Sequence, residues 1–474
     1  MLFSTTTFIL IFLPIVIFIY YGLLRKTKMA KNVFLLLASI IFYAWGEPYF
    51  VIIMLLSIIV NWLLGLLINK YRNEKIKSKI IIITMLIFNL GILGIFKYLG
   101  FIMENINNLF NIHMPVPNIM LPIGISFFTF QAISYVIDVY KNNAKVQKNL
   151  LNMGLYISFF PQLIAGPIVR YKTIAEQIEN RKESFEKFSE GVKRFIKGLA
   201  KKVLLSNSLA IVADLTFKMV PSEISVVLAW LGIISYTLQI YFDFSGYSDM
   251  AIGLAKMFGF ELEENFNYPY ISKSITEFWR RWHISLGTWF RDYVYIPLGG
   301  NRVGKKRLIL NIFIVWFLTG LWHGANWTFI VWGIFYFILL IIEKFTKFDK
   351  NKSENIIVNI MKHLYTISFV MIGWVIFRSD NLAQALNYIK CMFGILGNSL
   401  CDNQAILYLK EYGFYIILGI IFSIPLKEKL ILKSTNFMIK LIKKLINCLL
   451  KIITIIVVIA KITRPISHLK RNVS

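Results

Sequence analysis

The chain has 474 residues, 57% of them hydrophobic and 16% charged, with a mean hydropathy of +0.64. Soluble domains carry more charge than this, so the composition excludes a soluble module and predicts one polytopic membrane domain over residues 1–474. The formal charge of +27 is read as loop lysines and arginines that orient spans and contact anionic membrane lipid, not as a nucleic-acid surface.

An apolar run from Phe8 to Leu24 has no basic residue before it and Arg25, Lys26, Lys28 and Lys31 after it. That pattern predicts a retained first span with the N-terminus outside, not a cleaved signal. Residues 32–45 lead out to the turn Gly46-Glu47-Pro48, and 49–69 lead back to the basic loop 70–79. Residues 80–99 go out again, the stretch 100–118 has no Lys or Arg and reads as an outer loop, and 121–139 returns to Lys141, Lys145 and Lys148. Continued to the end, this alternation puts the C-terminus in the cytoplasm.

Residues 150–169 are apolar, yet basic on both flanks and interrupted by Pro161 and Gly166-Pro167. Proline breaks a helix, and broken backbone at membrane depth needs protein or a water-filled cavity around it. A re-entrant segment beside a cavity is therefore expected. Residues 171–202 interleave Lys187, Arg194, Lys197, Lys201 and Lys202 with Phe185, Phe188, Phe195 and Leu199. They predict an amphipathic helix in the plane of the inner leaflet, or a dock for an acidic cytosolic partner. The polar knot 241–249 (YFDFSGYSD) lacks the ligand spacing of a calcium loop and reads as packing at a helix break, with tunnel lining as the alternative.

Ser274-Ile275-Thr276-Glu277 is a capping box that predicts a helix running on through FWRRWHISLGTWFRDY, with His283 on an aromatic stripe beside Trp279 and Trp282. Residues 299–305 resemble a phosphate-binding loop, but Lys306 stands where Ser or Thr must hold magnesium, which rejects it. The three cysteines (Cys391, Cys401, Cys448) offer neither a disulfide framework nor zinc spacing. Finally, 308–343 is too long for one crossing of ~20 residues and has basic flanks at 302–307 and 344–350, so it should enter and return. His323 then lies deep in the membrane, one leg of ~24 Å beyond the basic turn. An ionisable residue held there is a functional hypothesis by default, and Gly320 and Gly324, four apart, would let backbones approach closely and also leave space beside it for a substrate. A packing histidine is the alternative. Trp279, Trp282, Trp322, Asn326, Asp243, Ser245 and Gln162 are the expected tunnel lining. A neutral imidazole can take a proton from an attacking hydroxyl, so group transfer is the reading. A transporter would predict internal repeats, and none is found; a purely structural subunit would predict that both histidines are replaceable.

The segments LLLASIIFYAWGEPYF, SFFPQLIAGPIVRY, SITEFWRRWHISLGTWFRDYVYIPLGGNR and FLTGLWHGANWTFIVWG are similar to the membrane-bound O-acyltransferases. The similarity is greatest to the bacterial branch with the alginate O-acetylation membrane protein, and extends over residues 1 to about 395; 396–474 would be further C-terminal helices. The resemblance implies an all-α fold of about eleven spanning helices, with re-entrant and amphipathic helices, around a central tunnel. It implies that His323 is the catalytic histidine and His283 the second histidine, toward the cytoplasmic entrance. It also implies transfer from a cytosolic thioester (acetyl-coenzyme A or an acyl carrier protein), with no bound cofactor or metal, to an extracytoplasmic polysaccharide, completed by an exported acetyltransferase partner. D-alanyl transfer to teichoic acid, peptidoglycan O-acetylation and a covalent acyl-enzyme on Ser285 are the alternatives within that reading.

Overall fold

The computed structural model describes residues 1–24, 27–349 and 354–425, all of whose regular structure is helical. Arg25, Lys26, Lys350, Cys448 and the segment 426–474, with the C-terminus expected in the cytoplasm, lie outside the described residues. The helices are α1 (Phe8–Leu23), α2 (Lys28–Ala44), α3 (Val51–Lys70), α4 (Lys75–Phe110), α5 (Ile125–Tyr140), α6 (Leu150–Ser158), α7 (Phe160–Leu163), α8 (Tyr171–Asn180), α9 (Phe185–Ala200) and α10 (Asn207–Lys218). They continue with α11 (Val226–Met257), α12 (Ile275–Arg281), α13 (Ile284–Phe290), α14 (Lys305–His323), α15 (Trp327–Phe345), α16 (Ile356–Arg378), α17 (Leu382–Met392) and α18 (Asn403–Phe422). By length and composition six of them, α3, α4, α11, α15, α16 and α18, can cross a membrane, and α1 and α5 are shorter apolar helices. The protein is an all-α, multi-pass membrane protein.

Four expectations are corrected. The outer loop is partly helix, because nothing stops α4 until Asn111 adopts the left-handed conformation (φ 52°) that favours helix termination at Asn or Gly. Second, the polar knot 241–249 is no break; it lies inside the 32-residue α11. Its carboxylates are matched by a neighbouring helix: Asp249 pairs with Arg194 and Lys201 (2.6 and 2.8 Å), and Asp243 with Lys202. The third correction concerns that neighbour. The basic stretch 171–202 is two helices, and α9 packs antiparallel along α11, not alone against a leaflet. Glycines at the crossing bring the backbones into contact, since a Cβ on Gly191 would lie 2.6 Å from Gly253 O and one on Gly253 2.6 Å from Gly191 O. The basic face of α9 is thus spent on acids of the same chain, Lys187 included, whose ammonium beside Glu261 (2.7 Å) holds that carboxyl below the usual carboxylate range. The fourth, a break at His283, belongs to the site.

The segment expected to be re-entrant is broken at Phe159, between α6 and α7, and buried throughout 152–163. The buried side chains form two apolar cores, one from α1–α9 with the C-terminal half of α11 and α13, the other from α10, the N-terminal half of α11, α12 and α15–α18. Trp322 packs on the first core, and Trp279, Trp316 and Phe377 on the second. Both histidines of interest sit along this seam.

Candidate active site

His283 is placed by a break that tertiary contacts impose. The capping box forms, with Ser274 Oγ accepting from Glu277 N at 3.0 Å. Glu343, buried on α15, reinforces the start of α12 by accepting from Ile275 N (2.6 Å), Thr276 N (2.8 Å) and Thr276 Oγ1 (2.6 Å). The helix ends at Arg281, after which Trp282 is extended and His283 is left-handed (φ 46°, ψ 52°), a costly conformation for a non-glycine residue. Asn265 maintains it. Its carbonyl accepts from Ile284 N (2.9 Å), and its Oδ1 accepts from both Ser285 N (3.1 Å) and Ser285 Oγ (2.9 Å). Ser285 Oγ also accepts from Ile168 N at 3.0 Å, so this hydroxyl joins the re-entrant segment to the histidine turn and is not presented as a nucleophile. The His283 ring is buried among Phe244, Phe266 and Trp322 (centroids 6.0, 6.4 and 5.7 Å), and neither nitrogen bonds to another described residue.

His323 is the last residue of α14. Gly324 is extended, and Asn326 caps α15, its Oδ1 accepting from Thr328 N at 3.0 Å. The expectation of open space beside the glycines is corrected: a Cβ on Gly320 would lie 2.5 Å from Phe329 O, and one on Gly324 2.5 Å from Phe329 Cδ2. These glycines let α14 and α15 close on each other. The imidazole is walled instead by Trp322, Trp332 and Phe377 (4.9, 5.0 and 5.0 Å) and faces Phe329 at 6.4 Å. The ring is half-buried and makes no hydrogen bond among the described residues.

The indole of Trp322 therefore packs against both imidazoles, with ring centroids 5.7 Å from one and 4.9 Å from the other. Beyond Phe329 and Phe377 opens a cavity of about 480 Å³, also lined by Tyr236, Asn326, Thr328, Arg378, Ser379 and Asp380. It lies where the α14–α15, α16–α17 and α10–α11 connections gather, as Asn326 Nδ2 donates to Asp380 O (2.9 Å) and Gln384 Nε2 to Phe217 O (2.8 Å). Of the expected lining, Trp322 and Asn326 are at this site. Trp279 and Trp282 stack in the second core, 5.4 Å from Trp332 and 5.0 Å from Trp374. Asp243 and Ser245 face Lys202 and Lys201, and Gln162 donates to Tyr156 O (2.5 Å) within the re-entrant segment.

Sequence reasoning passed over Asn265, Glu343, Trp332, Phe377 and Lys97. Only Lys97 carried a signal, a lone cation inside an apolar span. Glu343 yields a direct test. Glu343→Ala leaves three donors at the head of α12 without an acceptor, at about 1–3 kcal/mol for each buried group. Thermal unfolding of the purified variant should show a lower midpoint, with acyl transfer reduced further than stability alone explains, because α12 carries the His283 turn.

Residues 6–377 match the membrane-bound O-acyltransferase family. The chain belongs to that family. Like other membrane-bound O-acyltransferases it is an enzyme of acyl transfer. It is similar to probable alginate O-acetylases of Pseudomonas syringae pv. tomato (44% identity, 83% of this chain and 75% of the relative) and Pseudomonas putida (43%, 83% and 80%). It is also similar to a peptidoglycan O-acetyltransferase of Helicobacter pylori (37%, 85% and 81%). Among the described residues no cluster of three or more His, Cys, Asp or Glu could hold a metal.

Proposed function

We propose that His323 is the general base of acetyl transfer from a cytosolic thioester to a hydroxyl of an extracytoplasmic polysaccharide. The observation that carries this is the pair of imidazoles packed on one indole, that of Trp322, with a polar-rimmed cavity beyond the aromatic wall of His323. The acceptor hydroxyl enters through that cavity, and His323 removes its proton as the oxygen attacks the thioester carbonyl. The carbon–sulfur bond breaks, the ester forms, and the proton passes to the departing thiolate. His283, packed on the same indole, positions the donor or relays that proton.

The donor is acetyl-coenzyme A or an acetylated carrier protein on the cytoplasmic side, and an exported acetyltransferase partner completes delivery. The acceptor is an alginate-like exopolysaccharide, as the names of the relatives at 44 and 43% identity suggest. Peptidoglycan is the second reading, favoured by the 37% relative. Orientation follows from the charges: basic residues 302–307 and the basic flank of α15 lie inside, the N-terminus outside and the C-terminus inside. On this arrangement the six long helices, with α1, α2, α5 and α14, supply most of the roughly eleven crossings.

Sided vesicles test the scheme. Acetyl-coenzyme A, or an acetylated carrier protein, added to the cytoplasmic face should label polysaccharide on the other face with acetyl ester. Label appearing only when donor and acceptor share the outer face would overturn it. Mass analysis of the labelled glycan separates alginate-like from peptidoglycan acceptors.

A further inference from the structure

The last turn of any α-helix leaves carbonyls without an intrahelical partner, and they carry the negative end of the helix dipole. For α14 these are the carbonyls next to His323, and Gly324 turns away in extended conformation. Water cannot satisfy such groups freely at membrane depth. Their partners come from α4 instead: Lys97 Nζ donates to Trp322 O and Tyr98 Oη to Leu321 O. Both donors belong to a π-helical turn, Gly94–Tyr98, interrupting α4, a feature that redirects side chains and recurs at functional sites. Lys97 also reaches Ser126 Oγ (3.5 Å) and lies 5.9 Å from the Trp322 ring centroid, on the indole that touches both histidines. It has no carboxylate partner among the described residues.

We propose that Lys97 is a positioning residue for the transfer: by donating to Trp322 O it fastens the end of α14 and so holds the adjacent His323 imidazole in place. This rests on the reading of His323 as the base. A lysine has three donors and no acceptor, which suits a site made of a helix-end carbonyl and a hydroxyl.

The test uses full-length protein in lipid nanodiscs with ¹⁵N-labelled histidine. The chain has five histidines, and His323→Asn identifies the signal of interest. In Lys97→Met the His323 signal should move from its wild-type position and broaden, as the end of α14 loses its tether. With acetyl-coenzyme A as donor, kcat should fall about tenfold or more while KM for the donor stays within about twofold, the pattern of a lost transition-state contribution. Lys97→Arg should restore both. Tyr98→Phe removes the other capping donor, on a carbonyl one residue farther from His323, and should move the signal less. An unmoved signal in Lys97→Met, an equal movement in Tyr98→Phe, or no rescue by arginine would overturn the inference. The spectrum requires no turnover, so a protein that transfers no acetyl group would count against the function proposed above and leave this measurement standing.

Discussion

Replacing His323 with alanine should lower acetyl transfer by about 10²–10⁴-fold, the usual contribution of a positioned general base, while the protein still folds and inserts. The ring is half-buried and makes no hydrogen bond among the described residues, so its removal orphans no polar group. The aromatic walls from Trp322, Trp332 and Phe377 stay in place. Acetyl ester on surface polysaccharide, measured at matched expression, is the readout; near-wild-type acetylation would reject the assignment. His283 needs a different substitution. Its backbone is left-handed, and asparagine tolerates that region better than most residues, so His283→Asn removes the imidazole without adding strain. A smaller loss than in His323→Ala is expected, since in the proposed scheme His283 serves the donor and not the attacking hydroxyl. Ser285→Ala provides the contrast. It takes an acceptor from Ile168 N and a donor from Asn265 Oδ1, so its main effect is on stability, and labelled acetyl should not accumulate on the protein at that position.

The parts of this site that were legible in the chain are those set by local rules. Two apolar legs with basic flanks, joined by Gly324-Ala325-Asn326, fix the antiparallel pair α14 and α15 and put His323 at the turn. The capping box fixes where α12 begins. The breakers Pro161 and Gly166-Pro167 mark an interrupted helical segment, as the short α6 and α7 show. What was not legible depends on groups distant in sequence. The halt of α12 before His283 requires Asn265, whose side chain and carbonyl take the donors of the next two residues. The charges of 241–249 look like a break when read alone; Arg194, Lys201 and Lys202 across the crossing let the helix continue. Gly320 and Gly324 looked like space for substrate because nothing in a sequence says which neighbour fills the gap, and here it is Phe329. Lys97 was absorbed into an apolar run, since the carbonyl it meets, that of Trp322 more than two hundred residues away, leaves no side-chain signature.

Gly198→Leu should remove folded protein from the membrane. A Cβ at this position would lie 2.6 Å from Met250 N and closer still to Gly246 O, and a backbone atom cannot rotate aside as a flexible side chain would. The α9–α11 crossing would therefore have to open along its length. Opening it also separates Asp249, 4% exposed, from Arg194 and Lys201, and stranding one partner of a buried ion pair costs about 3–5 kcal/mol. Together these losses amount to a large part of the roughly 5–15 kcal/mol that holds a typical protein folded. The expected result is aggregation on detergent extraction and no cooperative unfolding transition. Gly287→Ala is the matched control, because a Cβ there meets nothing within 4 Å, and its yield should match wild type. A folded, monodisperse Gly198→Leu protein would show that the crossing can relax. The same crossing bears on chemistry, since α11 carries Phe244, whose ring lies 6.0 Å from His283. A milder substitution such as Gly198→Ala, if it survives extraction, should therefore lower transfer through the donor-side histidine while the walls around His323 remain as they are.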